Sequence, residues 1–326
     1  MTKHELQEII RPVAADLEAF DKKLNSFLKA DSALINAVVK HILASRGKRL
    51  RPALVFLSSR SDGLFSSKLI EAALAVELIH TATLLHDDVI DESEIRRGKE
   101  TVNYQWNNLV SVLMGDFLFA RAFRIMVGTG STELVGSISA ATERVSIGEL
   151  RQVEEVANYD LPEDEYIKII SDKTASLFAV SCEAGPILKK SSAKVRRSFR
   201  EFGENIGIAF QIADDLLDCV GTSEKTGKIP GNDLTQGKVT LPLIYSISKS
   251  SQKTRREITN LLNNGINEKG ISRVLKFITE QGGIDYTYSI ARSYSERAGN
   301  IIDSLKDNIY SRTLRDILNF TVARDN

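Results

Sequence analysis

Two copies of the pattern Asp-Asp-x-x-Asp, each at the end of an apolar stretch, constrain this chain more than any other feature. They occupy 87–91 (DDVID) and 214–218 (DDLLD). Each pattern is typical of a helix, because its first and last aspartates, four positions apart, would then share one helical face. Like charges at this spacing destabilise a helix by roughly 0.2–0.5 kcal/mol. The repetition of this cost indicates that something bound neutralises the charge.

The chemistry of these clusters favours a divalent cation. A single acidic cluster is about as often a solvated helix face as a binding site, but two clusters beside apolar residues make the solvated reading weak. Carboxylate oxygens suit hard cations, and Mg²⁺ usually combines one or two carboxylates with the phosphates of a substrate. The sequence therefore predicts a Mg²⁺–phosphate site between two facing helices.

Composition excludes several classes of protein. The chain has 326 residues with 43 basic and 43 acidic side chains, and this balance argues against a nucleic-acid-binding surface. Two cysteines suggest no disulfide framework and favour a reducing cytoplasm. The N-terminal residues lack the apolar core of a signal peptide, and no apolar run approaches the roughly 20 residues of a membrane span. We expect a soluble protein, with peripheral membrane contact left open.

The distribution of proline and apolar residues predicts helices. No proline occurs in 53–161 or 243–326, and 69–91 is apolar nearly all round, as in a helix packed on several sides. Strands should be few, because alternation of apolar and polar residues is scarce. Residues 239–247 (VTLPLIYSI) could form a strand, although Pro242 suits the first turn of a helix. We predict an all-α fold and a single domain over 1–326.

Basic loops accompany both aspartate clusters. Lys48, Arg51, Arg96 and Arg97 could hold one diphosphate through charge-assisted hydrogen bonds. The Gly/Lys-rich stretch 221–238 could close over phosphates, but its glycine spacing does not fit a P-loop. Separate sites for two anionic substrates indicate a transfer reaction, and the apolar helix before the first cluster suggests that one substrate carries a hydrophobic tail.

From about residue 40 to its end, the chain resembles the all-trans polyprenyl diphosphate synthases. Six ordered blocks carry the resemblance: GKRLRP (47–52), IHTATLLHDDVIDES (79–93), RRG (96–98), DKTA (172–175), FQIADDLLD (210–218) and GKIPGNDLTQGKVTLP (227–242). The resemblance implies a large helical bundle of the isoprenoid synthase type with a central cavity. It also implies a homodimer that condenses isopentenyl diphosphate with an allylic diphosphate, with three Mg²⁺ ions per active site.

The resemblance also assigns roles to residues. Those implied to bind Mg²⁺ are Asp87, Asp88, Asp91, Asp214 and Asp218, and Asp215 and Lys173 join them in the catalytic set. Those implied to bind the allylic diphosphate are Arg96, Lys173, Thr174, Gln211, Lys228 and Lys238. Those implied to bind isopentenyl diphosphate are Gly47, Lys48, Arg51, His80 and Arg97. Without the resemblance, His80 would be read as a core histidine and Gln211 as a core amide; Arg49 is expected to face solvent.

Product length should depend on the residues before the first aspartate motif. In the family, a bulky side chain just upstream of this motif stops chain growth at farnesyl length. Here the corresponding segment contains Val76, Ile79, Ala82 and Thr83. We therefore expect a long product of about octaprenyl length, which would supply a quinone side chain. Phe56, Phe123 or Met126 could still close the pocket from another helix.

Three alternatives remain open at this point. The first is a synthase of geranylgeranyl or farnesyl length. The second is a class I terpene cyclase, which shares Mg²⁺ chemistry but does not need GKRLRP. The third is a non-catalytic subunit of a heteromeric synthase, against which the two intact aspartate motifs argue.

Overall fold

A computed structural model describes residues 3–45, 47–63, 66, 68–220, 230–263 and 265–322 of the chain. Regular structure in these ranges is almost entirely helical, and the strands found there form one short two-stranded hairpin. The prediction of an all-α fold is therefore confirmed. Lys228 lies outside the described residues, as does the first half of the Gly/Lys-rich stretch, 221–229.

Up to Glu154, the described residues form eight helices and the hairpin. They are α1 Lys3–Ile9, α2 Ala14–Phe27, α3 Ala33–Ala44, α4 Leu50–Ser61, α5 Lys68–Ile90, β1 Ile95–Arg96, β2 Lys99–Glu100, α6 Val102–Gln105, α7 Asn108–Gly128 and α8 Thr132–Glu154. The helices described after Glu154 are α9 Glu163–Ile170, α10 Ser176–Leu188, α11 Ala193–Val220, α12 Asn232–Thr235, α13 Leu241–Lys249, α14 Gln252–Asn263, α15 Glu268–Glu280, α16 Gly283–Asp303 and α17 Ile309–Val322. A 3₁₀ turn, Arg11–Val13, precedes α2, and a π-helical turn, Ser171–Ala175, precedes α10.

The chain divides into two compact units, which are described separately. Unit 1 comprises Met1–Thr142, Leu177–Gly203 and Asn300–Ile317, whereas unit 2 comprises Glu143–Ser176, Glu204–Gly299 and Leu318–Asn326. Each unit gathers segments that are far apart in sequence. The prediction of a single domain over 1–326 stays a prediction.

Helices α4, α5 and α7 form the centre of unit 1. Helix α5 packs along α7 and against α4, and most of its apolar residues from Leu69 to Leu85 are buried. By length and composition α5 could also cross a membrane, but 61% of its most apolar window is buried inside the protein. A core helix passes the same test, so α5 is weak evidence for a membrane span. Burial on several sides matches the expectation for 69–91.

The hairpin of unit 1 turns at Arg97 and Gly98. Both residues have positive φ, 54° and 73°, as a two-residue turn of type I′ requires. The hairpin lies against the end of α3: Lys99 Nζ donates to the carbonyl of Ala44 (3.0 Å), and His41 Nε2 lies 2.8 Å from the carbonyl of Glu100. These contacts hold the Arg96–Arg97 segment beside the GKRLRP turn.

Unit 2 is built around a separate apolar core. Residues of α9, α11, α13 and α15 meet there, including Ile169, Ile212, Leu243 and Phe277. The ambiguous segment 239–247 is helical from Leu241, with Pro242 in the first turn, where its missing N–H leaves no hydrogen bond unmade. This core supports the end of α11, which carries the second aspartate motif.

Candidate active site

The first aspartate motif ends α5. The backbone N–H of Asp91 donates to the carbonyl of Asp87 at 2.8 Å, so the helical turn continues to the last aspartate of the motif. Asp87 and Asp91 therefore lie on one face, as the spacing predicts, and both are half-buried. This pair is open to a ligand that approaches the end of the helix.

Asp88 has a different environment within the same motif. It is 3% exposed, and its Oδ1 accepts a hydrogen bond from Arg96 Nε at 2.6 Å. Burial raises the pKa of Asp88, although the neighbouring Arg96 guanidinium opposes this rise. The Asp88 carboxylate thus holds the hairpin to the end of α5, and its predicted role as a Mg²⁺ ligand stays a prediction.

A cationic cleft lies beside the first motif, wholly within unit 1. It has a volume of about 840 Å³, counting the space open to solvent. Polar residues of its lining include Gly47, Arg49, Glu77, His80, Asp88, Arg96 and Arg97, and apolar ones include Leu84, Leu85, Val102 and Leu118. Four of the residues predicted to bind diphosphates, namely Gly47, His80, Arg96 and Arg97, thus line one cleft. Lys48 is an exposed residue next to Gly47.

His80 is a neutral hydrogen-bond acceptor in this cleft. Its Nε2 lies 3.0 Å from Arg51 Nη1, and a guanidinium can only donate, so Nε2 accepts and Nδ1 carries the proton. Burial, followed by the charges of four arginines, lowers the pKa of His80 well below its ordinary value. Burial also lowers the pKa of Arg51 to about 10, at which it remains charged at neutral pH. The pair therefore presents positive charge through Arg51.

Gly47 leaves room for the close approach of Arg97. A Cβ atom at position 47 would lie 2.6 Å from Arg97 Nη1, closer than a non-bonded contact allows. The Arg97 guanidinium also donates to the carbonyl of Ser45 (3.3 Å). The glycine of the GKRLRP block thus makes room for an arginine of the RRG block.

Arg49 corrects one expectation from the sequence. Its side chain is 14% exposed and pairs with Glu77 (Nη1 to Oε1, 2.6 Å) and Asp21 (Nη2 to Oδ1, 3.3 Å). The expectation that Arg49 faces solvent is wrong, because two carboxylates draw it inward. Asp21 lies 28 residues before Arg49 in sequence and Glu77 lies 28 residues after it. Sequence reasoning missed Glu77 as well. A carboxylate inside an apolar helix, three positions before His80, was the available signal.

The segment predicted to govern product length lies in α5. Val76, Ile79 and Ala82 are buried, and the half-buried Thr83 donates its hydroxyl hydrogen bond to the carbonyl of His80 at 2.9 Å. Of the side chains that could close a pocket from another helix, Phe56 and Met126 are buried, whereas Phe123 is 48% exposed. The role of this segment stays a prediction.

In unit 2, Lys173 lies on the π-helical turn Ser171–Ala175. Its Nζ contacts Glu149 Oε2 at 2.7 Å and donates to Gln152 Oε1 at 2.7 Å. Gly148 lets this turn approach α8, since a Cβ there would lie 2.4 Å from the Lys173 backbone nitrogen. Single π-helical turns inside helices often occur at functional sites.

Thr174, Gln211 and Asp215 form a chain of hydrogen bonds in unit 2. Thr174 Oγ1 donates to Gln211 Oε1, and Gln211 Nε2 donates to Asp215 Oδ1, each at 2.7 Å. Tyr166 donates its hydroxyl hydrogen to Asp215 Oδ2, also at 2.7 Å. Burial, with the nearby Asp233 charge, raises the pKa of Asp215 to about 8. Asp215 faces the interior, and its predicted catalytic role stays a prediction.

The other two aspartates of the second motif face more open surroundings. Asp214 is exposed, and half-buried Asp218 accepts the backbone N–H of Asp233 through Oδ2 at 3.0 Å. Lys238, another predicted ligand, is half-buried at the end of the same connection, and its backbone N–H donates to the carbonyl of Asp233 (2.9 Å). The structure thus places the predicted residues of unit 2 on the π-helical turn, the end of α11 and the connection to α13.

An arginine network that the sequence did not signal supports this region. Arg144 donates to Asp172 (2.7 Å) and to Glu204 (2.6 Å), and Arg151 donates to Asp172 (2.9 Å). Asp172 opens the DKTA block, so the network fixes the turn that carries Lys173. These residues occur on three separate helical segments, and spacing within one helix could not reveal their contact.

Both aspartate motifs have the chemistry of a Mg²⁺ site that a substrate completes. Within the ranges that the structure describes, no group of three or more His, Cys, Asp or Glu side chains could hold a metal ion by itself. Asp87 and Asp91 nevertheless supply two carboxylates from one helical face. One or two carboxylates plus phosphate oxygens are the usual protein-bound Mg²⁺ environment, so this pair fits.

Comparisons with known proteins agree with this geometry. A family model described as polyprenyl synthetase matches residues 32–278. The all-trans-nonaprenyl-diphosphate synthase (geranyl-diphosphate specific) of Rhodobacter capsulatus is 36% identical over 322 residues, which cover 98% of each chain. The octaprenyl diphosphate synthase of Escherichia coli strain K12 is 33% identical over 320 residues, covering 98% of this chain and 99% of the relative.

A solved structure extends the likeness to the fold. The crystal structure of polyprenyl synthase from Caulobacter crescentus CB15, complexed with calcium and isoprenyl diphosphate, has a TM-score of 0.93 and 35% sequence identity, and it covers 98% of each chain. The predictions of an isoprenoid synthase type of all-α fold and of a trans-prenyltransferase are confirmed. This chain belongs to the polyprenyl synthetase family.

Proposed function

We propose that this protein is a Mg²⁺-dependent prenyltransferase that adds isopentenyl diphosphate units to an allylic diphosphate. Its product would be an all-trans polyprenyl diphosphate of about octaprenyl length, suited to a quinone side chain. The observation that carries the proposal is the cationic cleft of unit 1, which lies beside the first aspartate motif at the end of a buried apolar helix.

Isopentenyl diphosphate would bind in this cleft. Arg97 and Arg51 would donate charge-assisted hydrogen bonds to its diphosphate, with Lys48 at the exposed rim. His80 would contribute a neutral imidazole that orients Arg51, because its low pKa keeps it from adding charge. The apolar side chains of Leu84 and Leu85 would face the isoprene carbons.

We propose the same role, binding of the allylic diphosphate, for residues of each unit. In unit 1 these are Asp87 and Asp91, through Mg²⁺, and Arg96 directly. In unit 2 they are Asp214 and Asp218, through Mg²⁺, and Lys173, Thr174, Gln211 and Lys238 directly; we propose three ions per site. Bound Mg²⁺ would neutralise the charge that develops on the departing diphosphate. The allylic C–O bond breaks, the double bond of isopentenyl diphosphate forms the new C–C bond, and the released diphosphate takes the proton that is lost. Lys173 and Arg96 would stabilise the leaving diphosphate electrostatically.

The small and aliphatic side chains before Asp87 support a long product. One helical turn rises about 5.4 Å, close to the length of one extended isoprene unit, so each turn without a bulky side chain admits roughly one more unit. Ala82 and Thr83 occupy the turn before the motif, with Ile79 and Val76 below them. A long tail is also the reason to propose peripheral membrane contact during product release.

We further propose that the protein is a cytoplasmic homodimer. The support is an exposed apolar stripe on α7, formed by Leu109, Val112, Leu113, Phe123 and Val127. Exposed apolar surface of this extent on one helix favours a protein partner over solvent. Sedimentation equilibrium should give a dimer mass of about twice 36.1 kDa, and a dimer-disrupting change such as Leu113→Glu should reduce it.

The function is tested by incubating the protein with labelled isopentenyl diphosphate, Mg²⁺ and either geranyl or farnesyl diphosphate. After dephosphorylation, chromatography should show a ladder that ends near eight isoprene units. A stop at four units would retain the chemistry but show that a side chain closes the pocket, with Phe56 and Met126 as candidates. Cyclic hydrocarbon without consumption of isopentenyl diphosphate would favour a terpene cyclase, and activity only with a second chain would indicate a heteromeric synthase.

A further inference from the structure

Glu77 is a buried carboxylate in the lining of the cationic cleft. It lies on α5 one turn before His80 and is 7% exposed. A carboxylate beside the binding site of an anion should weaken binding by repulsion. Its presence therefore calls for a structural reason.

The hydrogen bond of the Glu77 carboxylate goes to Arg49. Arg49 lies between Lys48 and Arg51 in sequence and has a left-handed backbone (φ 54°), which non-glycine residues adopt at a cost. Its guanidinium is held by Glu77 at 2.6 Å, by Asp21 at 3.3 Å and by the ring of Phe20, whose centroid is 5.4 Å away. These contacts fix the side chain of the residue that immediately precedes α4.

The charge of Glu77 also offsets repulsion among the arginines that line the cleft and Arg51, which contacts His80 of the lining. It counteracts the fall in the pKa of Arg51 and Arg97 that burial causes. The hydrogen bond to Arg49 leaves the guanidinium of Arg51 directed at His80 and that of Arg97 at the carbonyl of Ser45. Glu77 therefore forms its hydrogen bond with Arg49 and not with Arg51 or Arg97, the arginines that would bind diphosphate.

We propose that Glu77 is a positioning residue for isopentenyl diphosphate, acting through Arg49 on the turn that carries Lys48 and Arg51. The inference rests on the proposed function of the cleft. On this proposal, the Glu77–Arg49 pair holds the turn in its binding conformation before the substrate arrives. Binding of the diphosphate then does not include the free-energy cost of ordering the turn.

The test is the steady-state kinetics of Glu77→Gln, which keeps the side-chain shape and removes the charge. The KM for isopentenyl diphosphate should rise about tenfold, equivalent to about 1.4 kcal/mol, while the KM for the allylic substrate changes less than about twofold. The matched control is Glu71→Gln on the same helix, where the carboxylate pairs with exposed Lys23. It removes the same charge away from the cleft and should leave both KM values unchanged.

A double-mutant cycle tests the route through Arg49. Arg49→Gln should raise the same KM, and the double variant Arg49→Gln/Glu77→Gln should be no worse than the more affected single variant, because both changes break one contact. If the effects of the two single changes on the KM were additive in the double variant, the proposal that Glu77 acts through Arg49 would be wrong. Titration calorimetry with isopentenyl diphosphate alone should give the same order of affinities without turnover.

Other outcomes separate this inference from the proposed function. Wild-type protein that does not consume isopentenyl diphosphate would reject the function itself. Active wild type with an unchanged KM in Glu77→Gln would reject positioning, and a lower KM would reject it in favour of simple charge repulsion. If Glu77→Gln does not fold, Asp21→Asn, which removes the second carboxylate on Arg49, should raise the KM for isopentenyl diphosphate two- to threefold; no rise would count against the inference.

Discussion

The two regions that carry the predicted diphosphate ligands differ in how their polar groups are satisfied. In the cleft of unit 1, arginines crowd around a neutral histidine, and the buried Nε atoms of Arg49 and Arg51 have no hydrogen-bond partner among the described residues. In unit 2, Lys173 already contacts Glu149 and Gln152, and Thr174, Gln211, Asp215 and Tyr166 form a continuous hydrogen-bonded chain.

This difference indicates two ways of binding a diphosphate. The arginines of unit 1 are held by Glu77, His80, Asp88 and the carbonyl of Ser45, so a bound anion would add hydrogen bonds without breaking many. In unit 2, Lys173 would have to exchange the carboxylate of Glu149 for a diphosphate in order to play its proposed role. A carboxylate next to a cation should thus support binding in the first region and compete with it in the second.

The largest effect should come from the two aspartate motifs. We expect Asp87→Ala and Asp214→Ala each to lower turnover at least about a thousandfold, because each removes a carboxylate proposed to bind Mg²⁺ at the leaving diphosphate. Product formation at saturating Mg²⁺ measures this loss, and circular dichroism should show an unchanged helix content. Asp164→Ala, at an exposed position of α9, is the matched control and should retain activity. Near-normal turnover in either motif variant would contradict the assignment of that motif.

The next largest effect should be on product length, and it should differ between the helices that precede the two motifs. Ala82 and Ala209 each lie five residues before the first aspartate of a motif, and both are fully buried. Ala82→Phe should shorten the product to about farnesyl or geranylgeranyl length, because the ring would obstruct a tail that runs along α5. Ala209→Phe should overpack its site, at a cost of about 1–3 kcal/mol in stability, without shortening the product. Product chromatography measures the product length, and thermal melting measures the loss of stability. Equal shortening of the product by both variants would contradict the predicted difference between the two helices.

A smaller effect should appear in the pH dependence of stability, through His80. Its pKa in the folded protein lies well below 6.5, so below that pH the unfolded chain takes up a proton that the folded protein does not. The contribution of His80 to the free energy of unfolding is therefore fully present above pH 6.5 and declines as the pH falls toward the pKa of His80 in the folded protein. The free energy of unfolding of wild type relative to His80→Gln should drop by about 1 kcal/mol between pH 7.5 and 5.5. A constant difference would mean that His80 titrates normally.

The smallest effect should come from the carboxylate that contacts Lys173. Glu149→Gln should lower the KM for the allylic diphosphate by about two- to threefold, since it removes a competitor for the ammonium group. The KM for isopentenyl diphosphate should not change. Glu154→Gln, an exposed change on the same helix, serves as the control. A rise in the KM for the allylic diphosphate would show that Glu149 orients Lys173, as Glu77 is proposed to act on Arg49, and would end the contrast between the two regions.

Local periodicity in the sequence was sufficient for the helical fold and the placement of the aspartate motifs. The apolar run 69–91 became α5, the segment around Pro242 became α13, and Asp87 and Asp91 share a helical face. These features depend on neighbours within about four residues, and such contacts follow from helix geometry. The family followed from six ordered blocks, which the comparisons confirm.

The surroundings of individual site residues could not be read in this way. Asp87 and Asp88 are adjacent in sequence, yet one lies half-buried at the helix end and the other is buried against Arg96. The spacing of residues in the sequence predicts which side chains share a helical face. It does not predict which other parts of the protein pack against that face. The same limit explains why Arg49 was expected in solvent and why the network around Arg144 gave no signal.

The sequence by itself thus determined the helices, the family and the types of side chain available for binding diphosphates, because these depend on local geometry and on residue identity. Only the tertiary structure decided which cations meet in one cleft, that His80 is neutral there, that Lys173 is held by Glu149, and that Arg49 is drawn inward by Glu77. The physical reason is that charge and burial act through space: the pKa and the partner of a side chain depend on groups brought close by packing, from positions tens of residues away.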